Sequence, residues 1–67
     1  MHVFVNGDER RLTKNATVAD LLGQLQLSAG QVAVEVNLRI LERSEFDHSA
    51  LQEGDRVEIL SFIGGGN

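Results

Sequence analysis

Alternating apolar and polar residues along three stretches of the chain predict three β-strands. Near the start, Val3 and Val5 fall on one face while Phe4 falls on the other. Residues Val32–Val36 place three valines in phase, and residues 57–63 continue the alternation with larger apolar side chains. A period of two is typical of strands that bury one face against a core. We therefore expect the valines in the core and Phe4 outside it.

A helical period replaces this alternation in the first half of the chain. The apolar residues of the segment recur at the spacing of one helix face: Val18, Leu21, Leu22 and Leu25. Just before them, Thr17 is followed three residues later by Asp20, which is a capping-box pattern with an acidic residue in the first turn. The sequence therefore predicts one main helix over about residues 18–27.

Turn-forming residues separate the remaining segments. Asn6 and Gly7 both tolerate positive φ, which predicts a tight hairpin leading into a second strand over residues 9–13. A second turn at Asn37 leads into a short segment over residues 39–41. The resulting order is two strands, one helix and then three further strands.

A single helix in this order can cover one face of a four- to five-stranded mixed sheet and leave the other face to solvent. The pattern thus predicts an α+β chain with a β-grasp architecture. We expect one domain over residues 1–63, followed by a flexible glycine tail over residues 64–67.

Composition argues against several functional classes. Ten acidic and six basic side chains give a net charge of −4, which would repel a phosphate backbone. No apolar run approaches the roughly 18 residues of a membrane span, and a signal-peptide pattern is missing, so we expect a cytoplasmic protein. The chain has no cysteine, and His2 and His48 are far apart. We expect neither a metal site nor a catalytic side-chain set, and thus a protein that is not itself an enzyme.

The last strand runs directly into GGGN. A phosphate-binding glycine loop normally precedes a helix, and we expect none after these glycines. Simple fraying of the end is one interpretation. The other is a tail that enters a narrow channel, because glycines have no Cβ to block it. Such a tail would present a terminal carboxylate, which ATP can activate by adenylation and a sulfur nucleophile can then convert to a thiocarboxylate.

Five motifs along the chain, VNG, ATVADLL, VAVEVN, GDRVEIL and FIGGG, resemble the ThiS family of sulfur carriers in thiamine thiazole biosynthesis. The resemblance covers essentially the whole chain and implies a ubiquitin-like β-grasp. It further implies that an E1-like (ThiF-like) enzyme adenylates the C-terminal glycine, with ATP used by that enzyme and no cofactor bound by the carrier. Sulfur from a donor such as a cysteine desulfurase then forms the thiocarboxylate, which a thiazole synthase (ThiG-like) accepts.

The end of the chain departs from the family, whose members end on the glycine pair. The resemblance implies that Gly66 carries the sulfur after loss of Asn67, with Gly65 and Gly64 as the threading tail. Asn67 is then a cloning remnant, a natural extension that a peptidase removes, or the mark of a chain that no longer carries sulfur. We expect the 67-residue form to be inactive and trimming to activate it.

Strand parity predicts a partner interface on the solvent side of the sheet. Phe4, Ala33, Leu60 and Phe62 are expected to form one exposed apolar patch that docks on the adenylating enzyme. The alternative is that Phe62 folds over the sheet edge and closes the patch. Acidic residues around it, including Glu35 and Glu58, are expected to meet basic residues of the partner.

Three other functions fit parts of the pattern. A small subunit of molybdopterin synthase shares the fold and the tail chemistry, although such chains generally run longer. A ubiquitin-like modifier shares the adenylation step but transfers its glycine to a lysine. A non-covalent interaction domain with a disordered tail fits the fold alone.

Overall fold

The computed structural model describes residues 1–62, and these form a single five-stranded mixed sheet covered by one helix. The elements are β1 (His2–Val5), β2 (Asp8–Arg11), α1 (Val18–Gln24), β3 (Val32–Val36), β4 (Arg39–Leu41) and β5 (Arg56–Ser61). Short 3₁₀ turns at Ala29–Gln31 and Arg43–Glu45 precede β3 and follow β4. The predicted tail with Gly64, Gly65 and Gly66, and the boundary after residue 63, lie outside the described residues.

The strand order across the sheet is β2-β1-β5-β3-β4. β5 lies in the centre, parallel to β1 and antiparallel to β3, while the two hairpins β1–β2 and β3–β4 form the flanks. This arrangement confirms the predicted α+β β-grasp architecture.

Both hairpins close with two residues at positive φ. In the first, Asn6 (φ 50°) and Gly7 (φ 89°) connect Val5 to its register partner Asp8. Two positive φ values are the mark of a type I′ turn, whose twist matches that of the strands. Because Asp8 pairs with Val5, β2 begins one residue earlier than the predicted 9–13 segment.

The start of α1 follows the sequence prediction. The Asp20 backbone N–H donates to Thr17 Oγ1 at 3.1 Å, and the Thr17 N–H donates to Asp20 Oδ2 at 2.9 Å. This reciprocal pair satisfies two of the donors that a helix start leaves without partners. Among residues 1–62, no helix has the length and apolar character to cross a membrane.

The end of α1 corrects the predicted 18–27 span, because the helix stops at Gln24. Gln26 adopts the left-handed conformation (φ 59°), which no helix can continue through. The Leu27 N–H donates to the Leu22 carbonyl at 2.9 Å, and the Gln26 N–H donates to the Gly23 carbonyl at 3.1 Å. These two bonds are a Schellman motif, which normally places glycine at the position that Gln26 holds.

The core lies between α1 and the inner face of the sheet, which we define as the face carrying Val3, Val5, Val34 and Val57. Buried apolar residues from the segments that connect the strands close its ends. The buried residues are Val3, Val5, Leu12, Ala16, Val18, Leu21, Leu22, Val32, Val34, Leu41, Phe46, Leu51 and Val57. Because no polar or charged residue is buried in the part of the chain that the structure describes, the core requires no hydrogen bonds between side chains.

Candidate partner-binding face

β5 divides its side chains between the two faces of the sheet. Val57 is fully buried and Ile59 is partly buried, so both pack toward the core. Glu58 and Leu60 are exposed on the opposite side, which we call the outer face. The predicted parity of the last strand is therefore confirmed.

The structure brings three of the four predicted interface residues together at one end of the outer face. Ala33 and Leu60 are register partners between β3 and β5, and the Leu60 side chain is 64% exposed. The Phe62 N–H donates to the Gln31 carbonyl at 2.7 Å, which extends the pairing one step further along the strands. Phe62 is 60% exposed and therefore does not fold into the sheet edge.

The fourth residue, Phe4, lies elsewhere on the outer face. It is the register partner of Arg56 on β5, and the Arg56 guanidinium carbon sits 5.1 Å from the centre of the Phe4 ring. A guanidinium over an aromatic ring is a favourable cation–π contact. Leu60 lies four residues beyond Arg56, roughly 13 Å along the strand. Phe4 is half-buried and lies at the opposite end of the outer face, with Arg56 and Glu58 between it and the other three residues.

Two further apolar residues are exposed and were not predicted from the sequence. Ile40 is 69% exposed and lies opposite Glu35 on the outer face, and Leu38 is 89% exposed at the tip of the β3–β4 hairpin. The signal for Ile40 was present, because Leu41 belongs to the core and its neighbour on a strand must point the other way. No comparable pattern predicts Leu38, which occupies a turn position at φ 71°.

A groove of about 400 Å³ lies on the outer face, and Ile40 and Leu60 are among the residues that line it. Its lining comprises Asn6, the outer-face residues Ala33, Glu35, Ile40, Glu58 and Leu60, and also Val34 and Ile59, whose side chains belong to the inner face. Within it, Glu35 and Glu58 are direct register partners on β3 and β5. Like charges placed opposite each other destabilise a sheet, so their position is not explained by stability.

Two asparagine side chains fix β5 between its neighbours. Asn6 follows β1, and its amide Nδ2 donates to the Ile59 carbonyl at 3.1 Å while its Oδ1 accepts from the Ile59 N–H at 2.8 Å. Asn37 follows β3, and its Oδ1 accepts from the Arg56 N–H at 3.0 Å. Asn37 Nδ2 also donates to Asp55 Oδ1 at 2.9 Å. Each side-chain amide thus adds hydrogen bonds to β5 just past the end of the neighbouring strand. These bonds hold β5 in register with β1 and β3, and the outer groove is built on that register.

The beginning of β1 is anchored by a carboxylate. The His2 backbone N–H donates to Glu53 Oε1 at 2.9 Å, and the His2 imidazole lies 3.6 Å from the same carboxylate and 3.7 Å from that of Glu9. The backbone hydrogen bond from His2 holds the pKa of Glu53 below its ordinary value, with the imidazole adding to the effect. Among residues 1–62, no cluster of three or more metal-ligating side chains is present.

The model of the ThiS family matches residues 3–66 of the chain. The sulfur carrier protein ThiS of Bacillus subtilis (strain 168) is 35% identical over 63 residues, covering 92% of this chain and 96% of that protein. The crystal structure of a thiamine biosynthesis protein (ThiS) from Geobacter metallireducens superposes with a TM-score of 0.82 at 39% identity, covering 98% of this chain and 100% of the other.

A longer relative matches as well. A thiazole synthase of Paramagnetospirillum magneticum is 43% identical over 67 residues, which is 100% of this chain but 21% of that protein. The chain thus spans about a fifth of this relative's length. The family match, the similarity over nearly the full length of the Bacillus subtilis protein and the shared fold lead to one conclusion: the chain belongs to the ThiS family.

Proposed function

We propose that the chain is a sulfur carrier for thiamine thiazole biosynthesis, and that it acts as a co-substrate while its partners supply the catalytic groups. The observation that carries this proposal is the similarity to the Bacillus subtilis sulfur carrier, which extends over nearly all of both chains. The sulfur is carried on the carboxyl group of Gly66, after a peptidase removes Asn67.

The chemistry requires only the terminal carboxylate. One carboxylate oxygen attacks the α-phosphorus of ATP in the ThiF-like enzyme, and pyrophosphate leaves. A cysteine desulfurase holds sulfur as a persulfide, and a thiol reductant releases it as hydrosulfide while being oxidised to a disulfide. The hydrosulfide then attacks the acyl carbon of the adenylate. The carbon–sulfur bond forms as the bond to AMP breaks, and the product is a thiocarboxylate. Gly64 and Gly65 carry the reacting group into the enzyme because they place no Cβ in its path.

The outer face is the proposed docking surface for the adenylating enzyme. Ala33, Leu60 and Phe62 form its apolar end, and Phe4 contacts the partner at the opposite end of the face. Exposed apolar side chains next to one another are unusual on small monomeric proteins and mark interaction sites. Since Phe62 lies two residues before the first tail residue, Gly64, docking here brings the terminal glycine toward the enzyme's active site.

Thiazole synthase is the proposed acceptor of the sulfur. A segment similar to this entire chain occurs within a protein named thiazole synthase, which supports a functional connection between the two.

Intact-protein mass spectrometry of residues 1–67 and residues 1–66 tests the tail chemistry. Each form is incubated with the adenylating enzyme, ATP and a sulfur source. We expect the mass change for replacing one oxygen by sulfur on the 1–66 form alone. A thiocarboxylate on the intact form would contradict the need for trimming, whereas no change on either form would contradict the proposal. Adducts of much higher mass would indicate a ubiquitin-like modifier.

The docking surface has its own test in Phe62→Ser, made in the 1–66 form that is open to adenylation. We expect this change to lower the rate of adenylation strongly while leaving the unfolding midpoint nearly unchanged, because the side chain is mostly exposed. Leu38→Ser is the matched control, since it removes an even more exposed large apolar side chain from the tip of the β3–β4 hairpin. Unchanged adenylation of the Phe62 variant would remove this residue from the interface.

A further inference from the structure

The outer groove combines an apolar lining with two carboxylates at its centre. Ile40, Glu35 and Glu58 form one row across β4, β3 and β5, because each is the register partner of the next. Ala33 and Leu60 form the adjacent row on the same face. Both rows are open to solvent, so a docked segment meets two acidic groups surrounded by aliphatic side chains.

The two carboxylates have no counter-charge within residues 1–62. Ion pairs in this part of the chain involve only His2 with Glu9 and Glu53, and Arg39 with Glu45 at 3.5 Å. On the same face, the Arg56 guanidinium lies over the Phe4 ring. Glu35 and Glu58 therefore remain side by side, and no basic side chain within residues 1–62 forms an ion pair with either.

We propose that the outer groove binds a partner segment that places one arginine side chain between Glu35 and Glu58, flanked by apolar residues that cover Ile40 and Leu60. The proposal rests on the proposed function, in that the segment belongs to the adenylating enzyme. It goes beyond docking in general because it specifies the chemistry of the partner at a defined row of the sheet.

Arginine fits this position for reasons of geometry and hydration. Its planar guanidinium has five N–H donors arranged in a fork, so it can bond two carboxylates at once. It is also more weakly hydrated than the ammonium group of lysine, which suits burial among aliphatic side chains. The alkyl stem can lie along the apolar lining while the charged head reaches the pair.

Binding of this kind converts an unfavourable pair into a favourable triad. In the free chain the two carboxylates repel each other across the strands. A guanidinium between them removes that repulsion and replaces it with charge-assisted hydrogen bonds. A basic segment is also attracted over distance by a chain of net charge −4, which raises the association rate at low salt.

The test is a binding titration of the adenylating enzyme with the chain and its variants Glu35→Gln, Glu58→Gln and the double variant. We expect each single change to raise Kd by roughly tenfold or more, because it removes one partner of a desolvated charge pair. Asp47→Asn is the matched control, since it removes one exposed acidic charge away from the groove. The thermal midpoints of the groove variants should not fall, which separates lost binding from lost folding.

Residue-selective modification of the adenylating enzyme tests whether the group that binds Glu35 and Glu58 is an arginine. We expect an arginine-directed dicarbonyl reagent applied to the enzyme to abolish the difference in Kd between the wild-type chain and the double variant. A lysine-directed acetylating reagent should preserve that difference. If only lysine modification removes it, the assignment of arginine is overturned.

The outcomes separate this inference from the proposed function. If the 1–66 form binds the enzyme without being adenylated, the sulfur-carrier function fails and the titration still decides the arginine site. If it is adenylated and the double variant binds as tightly as Asp47→Asn, the arginine site alone is overturned. If the wild-type chain does not bind the enzyme, both are overturned. A wild-type dimer that Leu60→Glu dissociates would assign the groove to a second copy and would also overturn the inference.

Discussion

The inner and outer faces of the same sheet carry similar apolar side chains but use them differently. On the inner face, Val34 and Val57 are fully removed from solvent and pack against α1. On the outer face, Ile40 and Leu60 are more than half exposed, although Ile40 lies on the strand next to that of Val34 and Leu60 lies on the same strand as Val57. Burial of apolar area is what stabilises a fold, so the inner face accounts for folding while the outer face remains available for binding.

Within the strands, the alternation of side chains between two faces is enough to assign some residues to the core and others to a surface available for binding. A chain of 67 residues has little core to spare, and yet four large apolar residues within residues 1–62 are mostly exposed: Leu38, Ile40, Leu60 and Phe62. Residues that face α1 should therefore respond to mutation through unfolding, and residues that face solvent should respond through partner affinity.

The largest expected effect comes from the inner side. Leu21→Ala removes a fully buried side chain of α1 and should lower the free energy of unfolding by about 2–5 kcal/mol. This loss is comparable to the whole stability of many domains of this size. Urea denaturation measures it, with Leu60→Ala as the control on the outer face, where we expect a change below about 0.5 kcal/mol. Equal losses in the two variants would contradict the division between the faces.

The second largest loss of stability is expected from Asn6, whose side-chain amide bonds the backbone of β5 at Ile59. Asn6→Ala removes both hydrogen bonds to Ile59 and places alanine at positive φ, which together should cost about 2 kcal/mol of unfolding free energy. Asn15→Ala is the matched control, because Asn15 also has positive φ (69°) but its side chain makes no hydrogen bond within residues 1–62. The difference between the two variants in thermal or urea unfolding isolates the amide bonds. If the two lose equal stability, those bonds contribute nothing.

A smaller effect of opposite sign is expected where neither face is involved. Gly23 lies exposed near the end of α1, and a Cβ added there would point into open space. Gly23→Ala should therefore raise the free energy of unfolding by about 0.5–1 kcal/mol. Gly54→Ala is the contrasting control, since Gly54 has φ 84° and alanine there is strained. Partner affinity should remain unchanged in the Gly23 variant, and a change in affinity would indicate that stability and binding are coupled.

The smallest effect concerns acid stability at the edge of the sheet. Because the pKa of Glu53 is lower in the folded chain than in the unfolded one, its contribution is complete above the unfolded pKa. It is lost as the pH falls through the lower folded value. Glu53→Gln keeps an acceptor for the His2 N–H but removes the charge, so wild type and variant should differ at pH 7 and converge in acid. Thermal midpoints at several pH values measure this, and a constant difference would disprove it.

Much of the fold was predictable because its signals are local. The Thr17–Asp20 capping box and the Asn6–Gly7 turn each depend on residues within a few positions, and both form as predicted. The alternation along Val32–Val36 and β5 fixed which side chains enter the core. In each of these cases the same residues that define the pattern also make the bonds or contacts.

The candidate site was less predictable because it depends on register between distant strands. Sequence parity placed Phe4 on the correct face but not at the correct end, since the β1–β5 register sets it beside Arg56 and not beside Leu60. The opposition of Glu35 and Glu58 follows from the β3–β5 register in the same way. The early end of α1 was missed because Gln26, unlike glycine, gives no sign that it adopts a left-handed conformation.

The central position of β5 also determines when this domain can fold during its synthesis. Without residues 56–61, the strand order leaves β1–β2 and β3–β4 as two separate hairpins that share no backbone pairing. Isolated hairpins are marginally stable at best, so we expect the nascent chain to remain open until β5 has emerged from the ribosome. The outer groove is built across β5 and is expected to form only after that strand has been synthesised, so a chain cut short before residue 56 should show no binding at this face.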